Sequence, residues 1–449
     1  MTKDIKSQFY EYDNKRSFLI EEYVTKIDKL IYGGYGLGRI FDKAILVPKV
    51  IPDETVRVKV IKEKSGYYIG EAVEIIKPSK DRITPKCPFF HNCGGCDYQH
   101  IRYQSQLGFK EDILNETLKR VGGFKEFSVY PIIPSPEPFF YRLNAQLKIS
   151  KTKEGIELGF FKKDSHKFIH INECIICRQE INGLINVFSQ IDKDNLLNNL
   201  NYIEIIISNS TKKILLASSL NKINKSHMER LYSHIKEQEK NIDGFVINLK
   251  RKKVFSGKPY LFEEIEDTKY RVSSDSFFQV NYSLHDTLIK KIIKFVNPKK
   301  KDNIFDIYCG VGTFTIPISR KADSVFGIEE SPSSINDAIF NKKSNKIKNC
   351  YFYNEKAEDG LLILENEGIS CHTALINPPR AGCSEKMKKT LSSANPQKII
   401  YLSCNPSTLA RDISFFSKRG YKLSSVQPFD MFPQTYHIES LVKLEKNPL

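Results

Sequence analysis

The chain has 449 residues, more than one hydrophobic core usually serves, so two or three domains are expected. Hydrophobic residues make up 40% and aromatics 11%, which excludes a disordered chain. Lysine and arginine total 69 against 53 acidic residues, and the resulting charge of +16 favours a polyanionic partner such as nucleic acid.

The opening stretch MTKDIKSQFYEYDNK is polar and is expected to be loosely held. It has no apolar signal core, and no window approaches about 18 uninterrupted apolar residues, so a cytoplasmic chain without a membrane span is expected. Residues 16–79 alternate short strand-like runs with turn glycines and predict a small closed antiparallel barrel of the OB type. The run GGYGLG within it is no phosphate loop, because no helix follows. Basic residues beside Tyr32, Tyr35, Tyr67 and Tyr68 suit an RNA-binding barrel, although tyrosines filling a barrel core give the same pattern.

Residues 80–270 form a central α+β region that opens on cysteines. CPFFHNCGGCDYQH carries Cys87, Cys93 and Cys96, and CIIC adds Cys174 and Cys177. Ten cysteines in a cytosolic chain of this length point to metal or catalysis rather than to disulfides. Cys93, Cys96, Cys174 and Cys177 make one plausible tetrahedral zinc site. Cys-x5-Cys-x2-Cys with one distant cysteine equally suits a cubane iron–sulfur cluster, so spacing leaves both open.

Residues 271–449 alternate strands and helices in the manner of a doubly wound, Rossmann-like α/β sheet. DIYCGVGTF ends a strand in a glycine turn, and Glu329 ends the next strand candidate about 20 residues on, where a carboxylate can hold ribose hydroxyls. The third glycine of a dinucleotide fingerprint is missing, which favours S-adenosylmethionine. INPPRAG rigidifies a later strand end at Asn377, and Arg380 in place of an aromatic argues against methylation of an exocyclic amine.

IIYLSCNPSTLARD then places Cys404 at a strand end, with Pro406 fixing the turn. A thiolate there is the soft nucleophile that an electron-poor ring such as uracil requires. Its addition to carbon 6 turns carbon 5 into an enolate-like centre able to accept a methyl group. A base must afterwards remove the carbon 5 proton, and YHIESL offers Glu439, with His437 as a partner.

These stretches together resemble the RNA uracil-5-methyltransferase family along nearly the whole chain. The resemblance implies a TRAM domain at the barrel and a 4Fe-4S cluster on Cys87, Cys93, Cys96 and Cys174, leaving Cys177 a bystander. It implies S-adenosylmethionine contacts at Gln279 of SFFQVN, Tyr308, Glu329 and Asn377. LSCNPSTLARD matches the family's nucleophile motif at Cys404, and HIES its general base at Glu439. Asn377 stands where the family usually has aspartate, and Thr313 where some members have asparagine.

TRAM plus cluster is the combination of the family's ribosomal branch, so the expected activity is 5-methylation of a uridine in 23S ribosomal RNA by a monomeric enzyme. Transfer RNA is the alternative substrate. A catalytically silent RNA-binding protein would be expected to lack Cys404 or Glu439, and a methylthiotransferase to carry a Cys-x3-Cys-x2-Cys run; this chain fits neither.

Overall fold

The computed structural model describes residues 22–152, 155–191, 197, 200–250 and 252–447. The polar opening, and residues 16–21 of the expected barrel, lie outside the described residues.

Five strands come first: β1 (Glu22–Ile31), β2 (Tyr35–Ile40), β3 (Lys43–Pro48), β4 (Thr55–Lys64) and β5 (Tyr67–Lys77). They close into a barrel in the order β1-β2-β3-β5-β4, as the alternating pattern predicts. Ile27, Ile45, Val47, Val56 and Val58 point inward and are fully shielded. Each such side chain contributes about 1.5–3 kcal/mol relative to an exposed one.

The cysteine-bearing loop follows, and then helix α1 (Tyr103–Arg120). The central sheet is built from β6 (Asn144–Thr152), β7 (Gly155–Phe161), β8 (Phe168–His170), β9 (Tyr202–Ile207), β10 (Ile214–Ser219), β11 (Ile242–Asn248) and β12 (Lys253–Gly257). Its order is β12-β11-β10-β9-β6-β7-β8. Helices α2 (Gln179–Ile191) and α3 (Lys225–Gln238) lie in sequence between its strands and share its core through Ile181, Leu184, Leu231 and Ile235.

A hairpin, β13 (Tyr260–Ile265) and β14 (Thr268–Ser273), leads into the last sheet. There α4 (His285–Val296) precedes β15 (Asn303–Ile307), followed by α5 (Thr315–Ser319), β16 (Ser324–Ile328), α6 (Pro332–Ser344) and β17 (Cys350–Tyr353). The chain continues through α7 (Ala357–Asn366), β18 (Thr373–Ile376), α8 (Glu385–Ser393), β19 (Lys398–Ser403), α9 (Pro406–Ser417), β20 (Tyr421–Phe429) and β21 (Glu439–Lys446).

The order β17-β16-β15-β18-β19-β21-β20 reverses direction between β15 and β18. Strands β15 to β19 are parallel and buried on both faces, so they read as continuous apolar runs. In open sheets of this kind ligands bind beyond the carboxyl ends of the strands, at that reversal. Among the described residues no helix is long and apolar enough to cross a membrane.

Candidate active site and cysteine-lined cavity

The residues singled out from the sequence gather along one edge of the last sheet. Tyr308 follows β15, Glu329 follows β16, Asn377 follows β18 and Cys404 follows β19. Strand β21 runs antiparallel to β19, with Ser403 opposite Ser440. Cys404 and Glu439 are the next residues beyond that last pair, and the Glu439 carboxyl lies near enough to Cys404 to raise its thiol. The end of this ladder therefore brings thiol and carboxyl near one another across a sequence gap that no local motif spans.

The cofactor edge is held by backbone geometry. Tyr308 takes a left-handed φ of 67° while its N–H donates to the Ile328 carbonyl at 2.9 Å. Gly310 follows at φ 56° and donates its N–H to Glu329 Oε2 at 3.2 Å. Ser331 N–H donates to the other oxygen of Glu329 at 2.9 Å. The carboxylate is thus fixed in orientation, with acceptor capacity left for a pair of vicinal hydroxyls.

Asn377 donates its backbone N–H to Ile307 across β15, which places it at the reversal point. Gln279 is nearly buried, and its carbonyl accepts from His285 Nε2 at 2.9 Å. Thr313 engages through its backbone, its carbonyl accepting from the Tyr270 hydroxyl at 3.2 Å.

At the nucleophile, burial and the neighbouring Glu439 push the Cys404 thiol above its ordinary value, while Arg380 pulls the other way. Glu439 is buried, and desolvation raises its carboxyl to about 8, against the lowering field of Arg380. Arg380 also reaches His437 Nε2 at 3.3 Å. Burial and that guanidinium hold His437 neutral, near about 3, so its Nε2 accepts.

Arg380 is the residue to which sequence reasoning gave no role beyond excluding an amine target. Its signal was its place directly after two prolines at a ligand-binding edge. Asp306, missed altogether, is fully buried with one oxygen bound by the Thr315 hydroxyl at 2.6 Å and the other without a partner. Burial lifts its carboxyl to about 7.

The N-terminal cysteines meet elsewhere. Cys87, Cys93, Cys96, Cys174 and Cys177 line one cavity of about 250 Å³, with Phe89, Phe160 and Ile171 among its apolar walls. All are free thiols. Cys93 Sγ accepts from Gly95 N–H at 3.4 Å, and desolvation lifts its thiol to about 11. Cys174 lies lower, at about 7, because the Cys177 thiol donates to it. Among the described residues no three His, Cys, Asp or Glu side chains stand close enough to hold a single metal ion.

Comparison with known proteins accords with this geometry. The profile of the tRNA (Uracil-5-)-methyltransferase family matches residues 102–447. An uncharacterized RNA methyltransferase of Aquifex aeolicus is 35% identical over 431 residues, 93% of this chain and 97% of its own length. One from Halalkalibacterium halodurans is 32% identical over 438 residues, 93% of this chain and 96% of its own length. Among solved structures, the Pyrococcus abyssi tRNA (uracil-54, C5)-methyltransferase in complex with S-adenosyl-L-homocysteine is similar, with a TM-score of 0.72 and 25% identity. That likeness covers 94% of this chain and 99% of the other. The chain belongs to the tRNA (uracil-5-)-methyltransferase family, the S-adenosylmethionine-dependent enzymes that methylate uracil in RNA.

Proposed function

We propose that Cys404 and Glu439 carry out methyl transfer to carbon 5 of a uridine by covalent catalysis. The observation that supports this reading is the pairing of β19 with β21, whose last pair, Ser403 and Ser440, is flanked by the two residues at the ligand-binding edge. The Cys404 thiolate adds to carbon 6 of the ring, and the electron pair moves to carbon 5 and its enolate oxygen. Carbon 5 attacks the methyl group of S-adenosylmethionine, releasing S-adenosylhomocysteine. Glu439 takes the carbon 5 proton, the ring double bond re-forms, and the carbon–sulfur bond breaks to return the thiolate.

Arg380 supports the first step by favouring the thiolate form. Gln279, Tyr308, Glu329 and Asn377 bind the cofactor on this reading, with Glu329 accepting from the ribose. The target base leaves its stack to reach the thiol.

We further infer that Cys87, Cys93, Cys96 and Cys174 hold a 4Fe-4S cluster, with Cys177 supporting Cys174. A cubane binds one thiolate per iron, which accords with thiols that line one shared cavity. Such a cluster would staple the loops it bridges, since the transfer chemistry needs no electron step.

The barrel is read as a TRAM domain that meets RNA with its basic and aromatic surface, and 23S ribosomal RNA as the substrate. A second reading, transfer RNA, is favoured by the family profile and by the archaeal enzyme whose structure this chain resembles.

The test measures methyl transfer from labelled S-adenosylmethionine to 23S and to transfer RNA. Cys404→Ala is expected to abolish transfer while RNA binding persists. Glu439→Gln is expected to trap a protein–RNA adduct seen as a shifted band on a denaturing gel. Turnover by Cys404→Ala would remove the thiolate mechanism, and the RNA that is labelled decides between the two substrates.

A further inference from the structure

The turn that carries Cys404 is tied on one side to the loop after β18. Asn405 Nδ2 and Thr408 Oγ1 donate to the Arg380 carbonyl at 3.2 and 3.3 Å, and Asn405 N–H donates to Ser403 Oγ at 3.2 Å. The Cys404 carbonyl precedes the Asn405 N-cap of α9 and lies outside the helix ladder, so it needs a partner from elsewhere. That partner comes from the barrel. The Tyr32 hydroxyl donates to the Cys404 carbonyl at 3.0 Å, across 372 positions of sequence.

Tyr32 is itself clamped. It stands where β1 turns towards β2, and Lys163 Nζ donates to the next carbonyl, Gly33 O, at 2.7 Å while pairing with Asp97 at 2.7 Å. A side chain at Gly34 would meet Asp97 at 2.9 Å, so the turn seats closely on that carboxylate. The Tyr32 ring packs edge-on against Tyr436 at 5.1 Å, and Tyr436 lies over His437 at 4.2 Å. Lys163 sits over the rings of both Tyr35 and Tyr436.

We propose that Tyr32 is a positioning residue for the nucleophile, so that the barrel completes the active site rather than serving only to capture RNA. This rests on the thiolate reading of Cys404. The sulfur must stay aligned with carbon 6 through addition and release, and small displacements of a reacting group cost rate steeply. A hydroxyl fixed to the nucleophile's own carbonyl restrains the turn from the barrel side.

The experiment compares Tyr32→Phe, which keeps the ring and removes only the hydroxyl, with wild type, Cys404→Ala and Tyr232→Phe. The Tyr232 hydroxyl, on α3, donates to the Asp243 carbonyl at 3.2 Å and not to the nucleophile. RNA carrying 5-fluorouridine traps the adduct, because fluorine at carbon 5 cannot leave as a proton. Adduct formation and kcat for Tyr32→Phe are expected to fall roughly two- to tenfold, the worth of one hydrogen bond. KM for RNA and the RNA dissociation constant should match wild type, as should the adduct rate and kcat of Tyr232→Phe.

A wild-type adduct rate for Tyr32→Phe beside an inactive Cys404→Ala overturns the positioning role alone. A loss confined to KM makes Tyr32 an RNA contact and also overturns it, as does an equal loss in Tyr232→Phe. An active Cys404→Ala overturns the thiolate reading itself.

Discussion

A carboxyl that is to take a proton from carbon must first have lost its own, and Glu439 sits where that is hard. Burial raises it to about 8, and only Arg380 opposes the shift. The base form therefore accumulates as pH rises, and kcat/KM should climb through a limb near about 8 and keep rising as the Cys404 thiol, held above its ordinary value, loses its proton, read from initial rates across a buffer series. Glu439→Gln should lose the limb near about 8, its adduct rate rising with pH through Cys404 alone. Stability has the opposite sign. The folded value lies above the ordinary 4.5, so the folded chain binds more protons, and stability falls as pH rises from about 4.5 to about 8. The thermal midpoint of wild type should fall relative to Glu439→Gln across that window. Cys404 and Glu439 were legible because each stands in a distinctive local run. Arg380 and Tyr32 were not, because what matters in each is a contact made across the fold, such as the Tyr32 hydroxyl on the Cys404 carbonyl.

Among the elements, alternation of strand and helix made the last sheet readable, and glycine punctuation did the same for the barrel. Helix α1 escaped because its inward face mixes classes: Gln106 and Lys110 are buried beside Leu107, Ile113, Leu114 and Leu118, which blurs the apolar stripe. Those polar residues are tied to the segment between β20 and β21. Lys110 Nζ donates to Asp430 at 2.6 Å with both side chains fully shielded, and to the Phe432 carbonyl at 3.2 Å. Gln106 Nε2 donates to Gln434 Oε1 at 3.0 Å. Lys110→Met leaves the Asp430 carboxylate buried without its cation and should cost about 3–5 kcal/mol in denaturant unfolding. Pairing it with Asp430→Leu should recover part of that loss, since no charge is then stranded. A single variant no weaker than the double would mean that the pair does not hold α1 to this segment.

At the scale of the whole molecule, the barrel, the cysteine loop and the catalytic strand share one small core. Leu30 and Ile51 of the barrel, Tyr98 and Ile101 beyond the cysteines, Ile113 of α1 and Ile438 beside Glu439 are buried together. None of this was visible in sequence, where these residues lie in stretches that look self-contained. The link runs through backbone. Directly after Cys96, the N–H groups of Asp97 and Tyr98 both donate to the Gln434 carbonyl, at 3.0 and 2.9 Å. Gln434 itself takes a left-handed φ of 68°, a conformation that persists only where its surroundings enforce it. If four thiolates hold a cluster, removing it frees the loop that enforces this turn. Anaerobically purified protein should then contain about four iron and four sulfide per chain. Stripping the iron with a chelator should speed amide exchange at 87–98 and, through Gln434, at 431–439. Faster exchange confined to 87–98 would mean that the Lys110–Asp430 pair alone suffices to hold the catalytic segment, and that the cysteine site stabilises only its own loop.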